Sequence, residues 1–149
     1  EGVDEDAEGK EKKKLFKKKD KKDNINFYYT NDNTTICVLT HPVSGQKFIG
    51  IAKCNPGDTY NQRIGEQIAE MRAETEIYRY LRESYREEEN DLKILITDMK
   101  QSKKYNPKSY EAKNIKRQYW NAKSSRIDFD FMIKNMKDTI NNYITVRCK

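Results

Sequence analysis

The sequence predicts an α+β fold in which an N-terminal β-hairpin is followed by a long amphipathic helix and two or three further helices. Two short segments, 34–40 and 47–54, are rich in β-branched and aromatic residues and flank a turn with proline and glycine. Beyond them, apolar residues recur every three or four positions, as on one face of a helix. Because a two-stranded hairpin is marginal alone, we expect the long helix or a second subunit to cover it.

The hairpin strands are separated by a turn at 41–46, in which Ser44 and Gly45 can supply a positive φ. Segment 24–33 contains Ile25, Phe27 and two tyrosines, which makes it a candidate edge strand. Gly50 is expected to allow another backbone to approach the hairpin closely.

The long helix should begin after the break at 55–58, which contains proline and glycine. Asp58 or Thr59 can cap its first turn, and Thr59 with Gln62 has the spacing of a capping box. Gly65 and Ala69 form a strip of small residues on this helix, suited to close packing. The apolar stripe consists of Ile64, Ile68, Met71, Thr75, Tyr78, Leu81 and Tyr85.

The charged run 86–91 is predicted to loosen or end the long helix. Segment 92–99 resumes helical spacing, although 92–97 also fits a strand; we favour the helix. A second break at 105–109 places Ser109 as a helix cap. Two helical stripes follow, and residues 144–148 alternate as in a strand. The stripes are Ala112, Ile115, Tyr119 and Ala122, then Phe129, Ile133, Met136, Ile140 and Tyr143.

The organisation along the chain separates a charged tail, 1–23, from a single α+β domain, 24–149. The tail has nine lysines and eight acidic residues but few apolar ones, so we expect it to be disordered. Charged residues make up 36% of the chain and apolar residues 35%, which predicts a heavily ionised surface around a modest core.

Targeting and metal signals are missing from the sequence. No stretch approaches the roughly 20 apolar residues of a membrane span, and no secretory signal is recognisable, so a cytoplasmic protein without a membrane partner is expected. The cysteines Cys37, Cys54 and Cys148 lack CxxC spacing, which favours reduced thiols. With one histidine, His41, neither a metal site nor another cofactor is expected.

Motifs of the familiar enzyme classes are also missing: GxSxG, GxxxxGK[ST], GxGxxG and HExxH do not occur. Cys54 precedes a helix N-terminus, where a thiolate is favoured and could act as a nucleophile. The alternative is a small apolar residue at a strand end, and we favour it because only His41 is available as a base and it lies in a turn. The sequence therefore predicts a protein without catalytic activity.

Charge is segmented along the chain. Residues 60–91 contain five arginines and nine acidic residues, whereas residues 98–126 contain nine basic and two acidic residues. This asymmetry indicates either a polyanionic partner or head-to-tail pairing of acidic and basic faces in a homo-oligomer.

Two sets of basic residues are candidate anion-binding sites. Arg72, Arg79 and Arg86 share one face of the long helix, and the first two are the candidates, although pairing with Glu76 and with Glu83 would account for such arginines. The second set combines cations with the single tryptophan, for phosphate contacts and base stacking. Its members are Lys113, Lys116, Trp120 and Lys123, with Arg117 and Arg126 at the edge. The alternative is a solvated basic face with Trp120 in a subunit contact.

Residues 50–61, followed by Gly65, Ala69, Arg72 and Ala73, resemble a pattern common among small bacteriophage-encoded proteins. It has a glycine, an alanine, a Lys-Cys-x-Pro-x-Asp stretch, then an aromatic residue and Asn or Asp. In architecture the chain is similar to oligomeric phage proteins, such as the Thoeris inhibitors, that sequester nucleotide signals of bacterial defence. The resemblance implies no individual site residue.

These observations predict a non-enzymatic phage accessory protein that sequesters an anionic, nucleotide-type signal in the host cytoplasm. A nucleic-acid-binding protein that uses the basic-aromatic helix face is one alternative. A protein inhibitor that binds a host defence enzyme is the other.

Overall fold

A computed structural model describes residues 24–55 and 59–147. It confirms the α+β class, with a three-stranded antiparallel sheet followed by two long helices. The elements are β1 (Ile25–Tyr29), β2 (Thr34–Thr40), β3 (Lys47–Lys53), α1 (Gln62–Gln101) and α2 (Tyr110–Arg147). One helix therefore follows the long one, where two or three were predicted. The predicted tail, 1–23, lies outside the described residues.

The chain divides into two compact units. The described part of the first unit contains the sheet, α1 as far as Glu76 and α2 from Ile140 onward. The second unit, Ile77–Thr139, contains the rest of both helices. The candidate edge strand at 24–33 is confirmed as β1.

The sheet has the order β1-β2-β3, so β2 is its central strand. Cys37 pairs with Phe27 on one side and with Gly50 on the other. Each of the two turns contains a positive φ angle: 73° at Gly45, as predicted, and 59° at Asn33, which was not predicted. Alternate residues of β2 and β3 are buried, which gives the sheet one covered face.

At Gly50 the backbones of β3 and α1 approach each other closely. A Cβ atom at this position would lie 1.9 Å from the carbonyl oxygen of Ala69 and 2.4 Å from the amide nitrogen of Ala73. On α1, Gly65 similarly leaves room for the Thr35 side chain, since an added Cβ would lie 2.6 Å from its hydroxyl oxygen. The predicted close packing through small residues is therefore confirmed.

The cap of α1 differs from the prediction. The Asn61 side chain accepts a hydrogen bond from the Ile64 amide at 3.2 Å, and the helix begins at Gln62. Asn61 is thus the N-cap in place of Thr59, because an asparagine directly before the first helical residue satisfies a free amide of the first turn. Asp58, the other predicted cap, lies outside the described residues.

The predicted helix end at 86–91 is wrong, because α1 continues to Gln101. Glutamate and arginine are good helix formers, so a charged run does not interrupt a helix. Contacts to α2 also hold this region: Tyr85 stacks on Phe129 at 5.9 Å between ring centroids, and Glu89 pairs with Arg126. The helical assignment of 92–97 is confirmed.

The predicted break between the helices is confirmed. Ser109 caps α2, and its hydroxyl accepts a hydrogen bond from the Ala112 amide at 3.2 Å. The two helical segments predicted beyond it form one continuous helix, which reaches Arg147. The strand predicted at 144–148 is therefore wrong over its described part: alternation over so few residues does not outweigh the helix that leads into it.

Candidate functional site

The first unit contains a cavity of about 470 Å³ at the end of β3 and the start of α1. Its apolar wall comes from Ala52, Ile64, Ile68 and Ile144. The lining also contains polar residues, of which Lys53, Arg72 and Arg147 carry positive charge. The remaining described residues of the lining are Asn33, Cys54, Asn55, Thr59, Tyr60, Asn61 and Gly65.

The three cations come from three different elements. Lys53 is the last residue of β3, and its ammonium lies 3.8 Å from the exposed carboxylate of Asp32. Arg72 on α1 donates a hydrogen bond to the carbonyl oxygen of Ile51 at 2.7 Å. The Arg147 guanidinium lies 5.0 Å from the ring centroid of Tyr143, one helical turn earlier. No aspartate or glutamate lines the cavity among the described residues, so its electrostatic character is positive.

Polar contacts hold the aromatic and amide side chains of the lining. The hydroxyl groups of Tyr60 and Thr35 are hydrogen bonded at 2.9 Å, which fixes the tyrosine against β2. Asn61 caps α1, so the first turn of that helix borders the cavity with its positive dipole end. The backbone amide of Cys54 donates to the Asn33 carbonyl at 3.1 Å and closes the strand end. The arrangement combines fixed hydrogen-bonding groups with three cationic side chains.

Of the two predicted arginines, Arg72 lines this cavity. Arg79 is half-buried on α1 and belongs to the second unit. Farther along α1, Arg86 pairs with Glu83 at 3.2 Å, as the alternative interpretation of the helix arginines proposed.

The basic-aromatic set lies on α2 in the second unit. Trp120 is 59% exposed, and the Lys123 ammonium lies 4.9 Å from its ring centroid. Lys113 is exposed, while the Lys116 ammonium donates to the Tyr105 hydroxyl at 3.1 Å. Lys113 and Trp120 are therefore exposed on α2, whereas Lys116 and Lys123 are half-buried.

The two arginines predicted at the edge of this set differ in their surroundings. Arg117 is exposed and donates to the Asn114 side chain at 2.6 Å. Arg126 binds the carboxylates of Glu89 and Asp130, the latter at 3.1 Å. The hydrogen bond with Glu89 raises the pKa of Arg126, so this cation is already balanced within the unit.

Cys54 and His41 are too far apart to form a thiol–imidazole pair. Cys54 directly follows β3, whereas His41 directly follows β2, at the start of the turn that leads into β3. The length of β3, about 20 Å at ~3.3 Å per residue, therefore separates them. The His41 ring nitrogen accepts hydrogen bonds from the amides of Val43 and Ser44, which assigns it to the turn. The Cys54 thiol lies 3.6 Å from the Asn55 carbonyl oxygen.

Within the described residues, no group of three or more histidine, cysteine, aspartate or glutamate side chains is placed to hold a metal ion. Neither described helix has a segment long and apolar enough to cross a membrane. Comparisons with protein-family models, with curated proteins and with solved structures found no match to this chain.

Lys53 and Arg147, which line the cavity together with Arg72, were not predicted from the sequence. Lys53 was part of the phage-like segment, but a single lysine at a strand end carries no binding signal. Arg147 fell in the segment interpreted as a strand; extending the helical period would have placed it one turn beyond Tyr143. Only the tertiary fold brings these distant positions to one cavity.

Proposed function

We propose that this chain acts by binding an anionic, nucleotide-type ligand in the cavity of the first unit and sequestering it. The observation that carries the proposal is the lining itself. Lys53, Arg72 and Arg147 converge on one cavity that has no carboxylate among its described lining residues. Lys53 also lies 3.8 Å from the exposed Asp32 carboxylate, which does not line the cavity. Three cations on one concave surface favour a ligand with several negative charges.

The cavity also suits a ligand with both a charged and a planar part. Its volume of about 470 Å³ is within the range of small-molecule sites. Guanidinium groups bind phosphate oxygens through paired N–H donors, as Arg72 and Arg147 would do here. The Tyr60 ring and the apolar wall offer surface for a nucleobase.

Sequestration is favoured over conversion of the ligand. The described lining contains no carboxylate or imidazole that could act as a general base, and His41 lies at the far end of β3 from Cys54. The resemblance of residues 50–61 to small bacteriophage proteins suggests a signalling nucleotide of a bacterial defence system as the ligand. Such a protein would act in the host cytoplasm.

The experiment is calorimetric titration with a panel of probes: pyrophosphate, ADP, cyclic AMP and a cyclic dinucleotide. At least one nucleotide should bind, and Lys53→Ala and Arg147→Ala should each weaken it by about 1.5–3 kcal/mol, the value of a hydrogen bond to a charged group. Lys47→Ala is the matched control, since Lys47 is an exposed lysine at the other end of β3 and does not line the cavity.

Thermal unfolding of each variant separates a binding effect from a folding effect. Arg72→Lys is useful here, because it keeps the charge and removes the guanidinium fork that also holds the Ile51 carbonyl. Failure of every probe to bind, or an equal loss in Lys47→Ala, would contradict the proposal. Binding that falls steeply with salt, as for a polyanion with many phosphate contacts, would favour the nucleic-acid alternative.

A further inference from the structure

In the second unit, α2 carries an exposed face that is both apolar and basic. Trp120, Ile127 and Phe131 are 59%, 49% and 64% exposed. Their spacing of seven and four places them on one side of the helix, at 100° per residue. Four lysines project within about 60° of the direction of Trp120 around the helix axis, by the same 100° per residue. We call this set the basic stripe: Lys113, Lys116, Trp120, Lys123, Ile127, Phe131 and Lys134.

The part of α1 in the same unit carries a face of the opposite charge. Tyr80 and Ile94 are 44% and 61% exposed, and they are fourteen residues apart, so they point to similar sides. Four acidic residues share that side, whereas the basic residues of this part of α1 lie elsewhere around the helix. The acidic stripe consists of Tyr80, Glu83, Glu87, Asp91, Ile94 and Asp98, all of them exposed.

The two stripes match in length and in composition. From Tyr80 to Asp98 the acidic stripe spans about 27 Å, and from Lys113 to Lys134 the basic stripe spans about 31 Å, at ~1.5 Å per residue. Each combines large aromatic or apolar side chains with charges of one sign. Aligned along one another, they would cover the exposed aromatic rings and pair opposite charges at the rim.

We propose that the partner of these stripes is a second copy of this chain, with the acidic stripe of one protomer on the basic stripe of the next. Because the two surfaces differ, the contact is heterologous, and the two end protomers of an open assembly each keep one unused stripe until a ring closes. A nucleic acid would engage the lysines of α2. It would leave the exposed Tyr80 and Ile94, among four acidic residues, without a role.

The test is sedimentation velocity of the full-length protein over a concentration series. Glu87→Lys with Asp91→Lys reverses the acidic stripe, and Lys113→Glu with Lys134→Glu reverses the basic stripe. Each double variant should raise the dissociation constant about tenfold or more, because like charges then face each other. Lys108→Glu, in the exposed connection between the helices, is the control and should assemble like the unaltered chain.

An equimolar mixture of the two double variants gives the sharpest result. In the mixture each reversed stripe meets a complementary one, so assembly should return to the level of the unaltered protein. Phe131→Ser should weaken assembly without any change of charge. The proposal is overturned if the unaltered chain is monomeric at about 100 µM, where weak complexes are still populated, or if the mixture does not recover.

A third measurement addresses the competing use of the basic stripe. A labelled single-stranded oligonucleotide is titrated with the unaltered chain and with Lys113→Glu/Lys134→Glu. Salt-sensitive binding that is lost in this variant, together with unchanged sedimentation, would assign the stripe to nucleic acid and overturn the proposal. Absence of oligonucleotide binding with altered sedimentation supports the second copy.

Discussion

Two tyrosine hydroxyls of the described chain lie where ionisation is unfavourable. The Tyr29 hydroxyl donates a hydrogen bond to the Glu66 carboxylate, and this bond raises the pKa of Tyr29. Burial raises the pKa of Tyr78, whose ring lies 6.1 Å from that of Phe129. In both cases the folded protein favours the neutral phenol.

The sign of the pH dependence follows from these raised pKa values. A phenol whose pKa is higher in the folded state contributes stability below its unfolded pKa of about 10, and this contribution is lost as the pH rises through the folded pKa. The free energy of unfolding should therefore fall above about pH 10. Tyr78→Phe keeps the ring and cannot ionise, so its decline should be smaller in urea unfolding across this pH range. Equal declines would show that Tyr78 ionises as easily in the folded protein as in the unfolded chain.

At the scale of elements, the contact of β3 with α1 depends on Gly50. Gly50→Ala forces a Cβ atom into the backbone of Ala69 and Ala73, which flexible side chains cannot relieve. We expect a loss of about 3 kcal/mol in the free energy of unfolding, at the upper end for overpacking. Gly45→Ala is the matched control: it has open space but a φ of 73°, so its cost should be about 1 kcal/mol. Urea unfolding compares them, and a Gly50→Ala cost no larger than that of Gly45→Ala would contradict the close approach.

The continuity of α1 through its charged run can be tested at Asn90, which is exposed. In a continuous helix, Asn90→Gly should be about 1 kcal/mol less stable than Asn90→Ala, because glycine loses more backbone entropy on becoming helical. A helix that ended before this position would make the two variants equally stable. Urea unfolding of the two variants decides between these outcomes.

At the scale of the whole molecule, the acidic and basic segments of the sequence form two separate surfaces in the second unit. The acidic stripe and the basic stripe lie on different helices, and each carries exposed apolar side chains between its charges. The cavity of the first unit is lined by different residues, so the ligand site and the proposed contact between copies can be altered separately.

Association of copies should be visible in the emission of Trp120, the single tryptophan of the chain. An indole that is 59% exposed emits at long wavelength, and its maximum should shift to shorter wavelength as protein concentration rises and the ring is covered. Raising the ionic strength to about 1 M, where the Debye length is about 3 Å, should reverse the shift by weakening the rim charges. A maximum that is independent of both concentration and salt would argue against Trp120 in the contact.

Local signals in the sequence were sufficient for the three strands of the sheet, for the turn between β2 and β3 and for the start of α2. Alternation and β-branched residues determine β2 and β3, Gly45 supplies the positive φ of their turn, and Ser109 caps α2. Gly50 also indicated a close backbone approach from the sequence alone, because only glycine leaves that space.

Helix lengths and the lining of the cavity were decided by tertiary structure. The run 86–91 has no apolar side chain of its own to bury, yet Glu89 is held by Arg126 from α2, a contact between positions far apart in the sequence. The cavity lining is a second example, since Lys53 and Arg147 line the same cavity as Arg72 only once β3, α1 and α2 have packed. Sequence periodicity records which face of an element is buried, but the partner across that face depends on long-range packing.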